Sequence, residues 1–360
     1  MRVGFKKKIA LELFRKYKKN QAKLHVLNYL FWECTLKCNL NCLHCGSDCT
    51  KSSDVKDMPF EDFIGVIDKL TPTINPNKTM IVITGGEPLV RKDIEKCGME
   101  LYKRGYPWGL VTNGLLLTKE RFSSLINSGL SSITVSLDGF EESHNWLRNN
   151  NKSFKSAYEA AKLLANTQNL KYDVVTCVNK KNFSELNTFK ELLISIGIKE
   201  WRIFTIFPTG RAKNNEQLQL SAKQFKELFD FIKQIRIENK IKLNYGCEGF
   251  LGEYEGDVRD NFFICGAGIN TASVLIDGSI SACPSLRNNF IQGNIYNDDF
   301  VDVWNNRYQK YRDRSWTKIG ICADCESFKY CEGNGLHLRD EKTNELAFCH
   351  LKRIEEGDKV

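Results

Sequence analysis

Between residues 27 and 206, short apolar runs alternate with stretches in which apolar residues recur every three or four positions. Six runs predict strands: 27–33 (LNYLFWE), 80–84 (MIVIT), 109–112, 133–137, 172–178 and 202–206. The periodic stretches between them, 61–70, 91–104, 119–128, 154–165 and 183–196, predict helices. Gly105, Gly114 and Gly129 punctuate the element ends. A strand–helix repeat implies parallel strands covered by helices. Six units are too few to close an eight-stranded barrel, so the expected fold class is α/β, an open partial (β/α)6 barrel. After about residue 215 the pattern changes: one more helix (222–237) leads into a stretch rich in Gly, Asn and Asp, with clustered Cys. Its apolar runs are too few for a large core, as in a small domain stapled by metal. The expected division is an N-terminal helix over 1–27, a barrel over 28–215, and a connecting helix and linker over 216–260. A cysteine-rich domain over 261–352 and a tail over 353–360 complete it.

Composition narrows the class. The chain has 360 residues, 27% charged and 42% apolar, as in an ordinary globular enzyme. No run approaches the roughly 18 apolar residues of a membrane span, and no secretory signal precedes the first strand; the expected location is the cytoplasm. The net charge of +8 is localised, because the first 25 residues carry nine basic side chains against Glu12 alone. Phe5, Ile9, Leu13 and Tyr17 recur every four residues there. Such a basic amphipathic helix either rests on an anionic membrane surface or packs on the barrel bottom with its lysines solvated. The remaining chain is neutral, so no nucleic-acid partner is expected.

Fourteen cysteines in a reducing compartment point to metal or cluster ligation rather than disulfides. Cys97 and Cys177 stand alone and read as small buried hydrophobes, as do Cys34 and Cys49 beside the main motif. That motif is Cys38-Asn-Leu-Asn-Cys42-Leu-His-Cys45. Three thiolates in one loop can wrap three irons of a cubane and leave the fourth without a protein ligand, whereas such clusters normally take four. An open iron can bind a substrate or cofactor. Zinc, with His44 or Cys49 as fourth ligand, is the rival reading. The chemically distinctive residues also share one rim. Cys38–Cys45 follow the first strand, Gly85–Pro88 the second and Asn113 the third, while Ser136–Asp138 end the fourth; in barrels of this type that rim carries the active site.

The x3, x2 cysteine spacing, with His44 before the last Cys, resembles the signature of the radical S-adenosylmethionine (SAM) superfamily. The resemblance implies that the amino and carboxylate groups of SAM chelate the open iron of a [4Fe–4S] cluster. Reductive cleavage then gives a 5′-deoxyadenosyl radical. Gly85-Gly86-Glu87-Pro88 resembles the family's second motif, which receives the SAM ammonium. Ser136-Leu137-Asp138-Gly139 resembles its strand-4 motif, and Arg148 stands where an arginine meets the SAM carboxylate. Asn113 and Asn179 sit at strand ends that line the family's cavity. Toward the C-terminus, Cys265, Gly278, Cys283 and then Cys322-x2-Cys325-x5-Cys331 and Cys349 resemble the SPASM extension, which implies one or two auxiliary iron–sulfur clusters. Cys322, Cys325, Cys331 and Cys349 would complete one site, for which a zinc ribbon is the alternative; Cys265 and Cys283 would belong to the other. The family expects a further Cys four residues after Cys331, where this chain has Gly335. Cys247 would compensate, or that site is empty. The segment 202–212, ending Pro208-Thr-Gly-Arg211-Ala212, also looks like SPASM-type members.

The expected function is oxidative radical modification of a substrate, a ribosomally made peptide or a protein side chain by family analogy, with flavodoxin or ferredoxin as electron donor. The sequence singles out no catalytic side chain beyond these ligands. A cofactor precursor or other small molecule is the alternative substrate, and a non-catalytic multi-cluster electron carrier the alternative class. Only about 27 residues precede the first strand, so any leader-binding element is expected to be a separate protein.

Overall fold

The computed structural model describes residues 3–359; Met1, Arg2 of the basic stretch and Val360 of the tail lie outside the described residues. The chain opens with α1 (Phe5–Leu24). Strands and helices then alternate as β1 (Tyr29–Thr35), α2 (Phe60–Leu70), β2 (Met80–Gly85), α3 (Ile94–Lys103), β3 (Trp108–Thr112), α4 (Lys119–Asn127) and β4 (Leu130–Ser136). They continue through α5 (Glu141–Arg148), α6 (Ser153–Ala165), β5 (Lys171–Val178), α7 (Leu186–Ser195), β6 (Glu200–Thr205), α8 (Ala222–Glu238) and β7 (Lys242–Tyr245). The C-terminal part holds β8 (Thr271–Val274), β9 (Ser279–Ser281), β10 (Gly293–Asn294) and the short α9 (Phe300–Asn306), α10 (Gln309–Arg312), α11 (Phe328–Cys331) and α12 (His350–Gly357).

All ten strands form one sheet in the order β10-β9-β8-β1-β2-β3-β4-β5-β6-β7. Strands β1 to β7 are parallel, in register from Tyr29↔Met80 at one side to Ile203↔Tyr245 at the other. The sheet has two edges and does not close, and the predicted six-fold repeat is present through β6. Two differences follow from burial rather than propensity. The four residues of β7, Lys-Leu-Asn-Tyr, lie in the stretch expected to be linker and add a seventh parallel strand. Beyond β1, β8 pairs parallel with its other edge, and β9 and β10 follow antiparallel. The cysteine-rich part therefore extends the barrel's own sheet.

The helices cover the sheet through apolar stripes. In α2, Phe60, Phe63, Val66, Ile67 and Leu70 are buried, with Phe63 stacked on Trp32 of β1 at 4.8 Å. Ser221 and Gln224 form a reciprocal capping box at the start of α8; the helix then buries Phe225, Leu228, Phe229, Ile232 and Ile235 and ends at Asn239 in the left-handed region. No helix among the described residues is long and apolar enough to cross a membrane.

The N-terminal helix packs on the cysteine-rich part. Leu11 and Lys18 are buried, the Lys18 ammonium donates to the Tyr330 carbonyl at 2.6 Å and pairs with Glu332 at 2.9 Å, and Glu12 accepts from Lys329 and Tyr330. The opposite face carries Phe5, Ile9, Leu13 and Tyr17, all exposed.

Candidate active site

The loop after β1 is shaped by its neighbours. Cys38 donates its N–H to Thr50 O at 2.7 Å, and Leu43 donates to Leu147 O on α5 at 2.9 Å. From the second strand end, Gly86 and Glu87 donate their N–H groups to Thr35 O and Lys37 O at 2.8 and 3.0 Å. A Cβ on Gly85 would lie 2.0 Å from the Thr35 carbonyl oxygen, and one on Gly86 2.3 Å from that of Lys37. The two glycines are thus required by the close approach of the cysteine loop itself. Gly85 also takes φ +138°, a region L side chains avoid.

A second clamp comes from the segment after β6. Arg211 donates to the carbonyls of Cys42 at 2.7 Å and Cys49 at 3.1 Å, and pairs with Asp48 at 2.7 Å. Gly210, at φ +52°, sits where a Cβ would strike the Cys45 carbonyl at 2.5 Å. The sequence marks 208–212 only as a resemblance; its contact with a loop some 160 residues earlier in the chain is a tertiary fact.

Cys38, Cys42 and Cys45 line a cavity of ≈480 Å³ over the strand ends, together with Gly85, Gly86, Glu87, Asn113, Ser136 and Arg148. Glu87 is 1% exposed, and its carboxylate accepts from Leu89 N–H at 3.1 Å, Thr112 Oγ1 at 2.8 Å and Asn113 N–H at 2.8 Å. Burial raises its pKa, and those bonds oppose the rise. Three of its roughly four acceptor positions are therefore spent on the protein, so it joins the ends of β2 and β3 as well as facing the cavity. Pro88 opens the short turn behind it. Asn113 donates to Asn39 Oδ1 at 2.8 Å and to the Cys38 sulfur at 3.9 Å.

Arg148 does not stand in a solvated loop. It ends α5, is 7% exposed, donates Nε to Asp138 at 2.6 Å and lies 3.8 Å from the Cys42 sulfur. Burial alone would raise the pKa of the fully buried Asp138, yet the charge of Arg148 beside it holds it below the usual carboxylate range. Asp138 also accepts the Cys177 N–H at 2.9 Å. Asp138 and Asn179 are absent from the cavity wall. Asn179, expected to line it, instead uses its side-chain oxygen to accept the N–H groups of Lys181 and Asn182 in the turn after β5. A short polar side chain after a strand is often a turn former.

The residues fit an iron–sulfur group. Burial pushes the Cys38 thiol up to about 11 and raises that of Cys42, so thiolates at these positions need a cationic partner, which iron supplies. A hydrogen bond from Cys49 brings Cys45 down to about 6, and the Cys49 N–H lies 3.4 Å from the Cys45 sulfur. Cys49 is therefore a neighbour of the ligand loop, whereas Cys34 and Cys97 are fully buried among apolar side chains. The buried Nδ1 of His44 and Nδ2 of Asn39 have no hydrogen-bond partner.

Two further thiol groups lie in the C-terminal part. Cys322, Cys325, Cys331 and Cys349 all line one cavity of ≈190 Å³. Cys247, Cys265 and Cys283 are near enough for their charges to interact. Among the described residues no three His, Cys, Asp or Glu side chains converge closely enough to hold a single metal ion; a four-iron cubane spreads its ligands wider. The cysteines of the first loop and of both C-terminal groups are free thiols.

Comparison with known proteins agrees with this geometry. Residues 32–193 match the model of the Radical SAM superfamily, and residues 265–326 that of the SPASM iron–sulfur cluster-binding domain. The chain is 27% identical over 324 residues to an AdoMet-dependent heme synthase of Methanosarcina barkeri, covering 84% of this chain and 89% of the relative. It is 28% identical over 309 residues to mycofactocin maturase MftC of Mycolicibacterium smegmatis, covering 84% and 76%. The fold is shared with anSMEcpe bound to AdoMet, at TM-score 0.71 and 22% identity over 93% of this chain and 91% of that one. Maturases and heme synthases of this family are enzymes, which removes the electron-carrier reading. The chain belongs to the radical SAM superfamily, as an enzyme that binds SAM at a [4Fe–4S] cluster and carries auxiliary iron–sulfur clusters in a SPASM domain.

Proposed function

We propose that this enzyme oxidatively modifies a side chain of a peptide or protein in the cytoplasm. Cys38, Cys42 and Cys45 hold the SAM-binding cluster. Gly85, Gly86 and Glu87 offer acceptors to the SAM ammonium, and Ser136 and Asn113 line its site. Arg148, oriented by Asp138, faces the SAM carboxylate, while Pro88 and Asn179 shape the turns behind. Cys322, Cys325, Cys331 and Cys349 hold one auxiliary cluster, and Cys265 and Cys283 contribute to the other. When bound, these groups supply reductive cleavage of SAM, a 5′-deoxyadenosyl radical that takes a substrate hydrogen, and an acceptor for the electron left behind; flavodoxin or ferredoxin supplies the first electron.

The relatives divide between peptide and tetrapyrrole chemistry, so the cavity's charges carry the choice. Its three arginines are all engaged: Arg148 by Asp138, Arg211 by Asp48, and Arg287 by Glu33. Glu248 and Glu341 also line it. A heme precursor brings several carboxylates and needs cations to meet them, whereas a neutral or basic side chain does not. The test follows the hydrogen atom. Reconstituted enzyme is supplied with SAM, a reductant and extracts of cells grown in deuterated medium, and 5′-deoxyadenosine is weighed for deuterium. Label from a protease-sensitive fraction is expected; label only from a protease-resistant small-molecule fraction would overturn the peptide reading.

A peripheral contact with an anionic membrane belongs to the same proposal. The outward apolar face of α1 is flanked by exposed Lys6, Lys8, Lys16, Lys19 and Lys23, a pattern suited to an anionic lipid surface.

A further inference from the structure

The auxiliary site of Cys265 and Cys283, the first of the two, is short of one thiolate by the SPASM resemblance, which implies a cysteine where this chain has Gly335. The structure shows what occupies that place. A Cβ on Gly335 would lie 2.7 Å from Cε1 and 3.1 Å from Nδ1 of His337, and 2.5 Å from the Glu248 carbonyl oxygen. The imidazole of His337 fills the space a cysteine side chain would use, and the short turn Leu336–Leu338 delivers it there. That turn also touches the thiol group: the Leu336 N–H donates to the Cys265 sulfur. His337 shares a cavity wall with Pro284 and Ser285, which follow Cys283. Its ring packs on Phe207 at 4.9 Å, and among the described residues neither ring nitrogen has a hydrogen-bond partner. A neutral imidazole offers the ring-nitrogen lone pair that a metal ligand requires.

We infer that His337 is the fourth ligand of the first auxiliary cluster, beside Cys247, Cys265 and Cys283. A neutral imidazole in place of a thiolate makes the cluster one charge more positive and easier to reduce, as histidine ligation does in other iron–sulfur centres. Because His337 lines the active-site cavity, a cluster held by it would border the space where a substrate radical would form and would supply an acceptor for the electron.

The test reads the ligand directly. In full-length, anaerobically reconstituted protein with Cys38, Cys42 and Cys45 replaced by Ala, only the auxiliary clusters remain. Pulsed EPR of the reduced protein should show strong nitrogen hyperfine coupling that changes pattern with 15N-histidine and vanishes in His337→Ala. His337→Cys should keep the iron, remove the nitrogen coupling and lower the midpoint potential. The signal of the Cys322, Cys325, Cys331, Cys349 cluster serves as the folding control. A cluster at this site without histidine coupling, or coupling that survives in His337→Ala, would overturn the assignment. So would an iron content unchanged by Cys265→Ala, where about four irons per chain should be lost. None of these outcomes bears on the SAM cluster, so this inference can fail while the family assignment stands.

Discussion

Gly86 shows how tightly one position is set. Its missing side chain lets the β2 exit lie against the backbone of the cysteine loop, with hydrogen bonds on either side. Gly86→Ala must push Lys37 O away by more than a bond's tolerance, and Cys38 is the next residue. A displacement on the order of 1 Å in a catalytic constellation costs about 10²-fold in rate. SAM cleavage in Gly86→Ala should fall by about that factor, with the auxiliary clusters intact by iron content; wild-type cleavage in the variant would refute the clamp. The same geometry bears on Gly335, where the Glu248 carbonyl and His337 leave a cysteine no room unless they move. A Gly335→Cys variant therefore reports on strain as much as on ligation. Arg148 differs again: the Arg-Asn-Asn-Asn context suggests a solvated loop, but pairing with Asp138 and contact with Cys42 bury it.

At the scale of elements, α1 carries two faces with different partners. Leu11, Glu12 and Lys18 dock it on the cysteine-rich part, leaving the face of Phe5, Ile9, Leu13 and Tyr17 outward. Each exposed lysine near an anionic surface contributes about 1 kcal/mol, screened by salt. The intact enzyme should co-sediment with phosphatidylserine vesicles at low salt, and far less with phosphatidylcholine vesicles. Ile9→Asp with Leu13→Asp should abolish binding without changing the thermal midpoint. Equal binding to both lipids, or self-association through this face instead, would defeat the membrane proposal. The four-residue spacing made this helix and its apolar stripe legible from the sequence; which stripe is buried was decided by Tyr330, Lys329 and Glu332, more than 300 residues away in the chain.

At the scale of the molecule, the sheet unites the barrel with the cysteine-rich part. β8 covers the outer edge of β1, and Glu33 of β1 accepts the Ile276 N–H at 3.1 Å and pairs with Arg287. The strand that feeds the SAM cluster loop is therefore held from the C-terminal side. A chain ending at residue 260 would leave that edge unpaired beside an apolar core, a template for aggregation. It should be insoluble, or lack a cooperative melt; a soluble truncation that still loads about four irons on Cys38, Cys42 and Cys45 would show the barrel to be independent.

Local pattern was enough to specify the strand–helix alternation, the rim on which the chemistry gathers, and the cysteine groups, because periodicity and ligand spacing are properties of neighbouring residues. It left β7 and α5 unseen, since a four-residue edge strand and a polar eight-residue helix carry little local signal and owe their form to what covers them. It left Arg211, Glu33 and His337 unplaced, and Cys247 as one of two alternatives, for a related reason. Their partners lie far away in the chain, and only folding brings a guanidinium to a loop carbonyl, or an imidazole into the space a cysteine would fill.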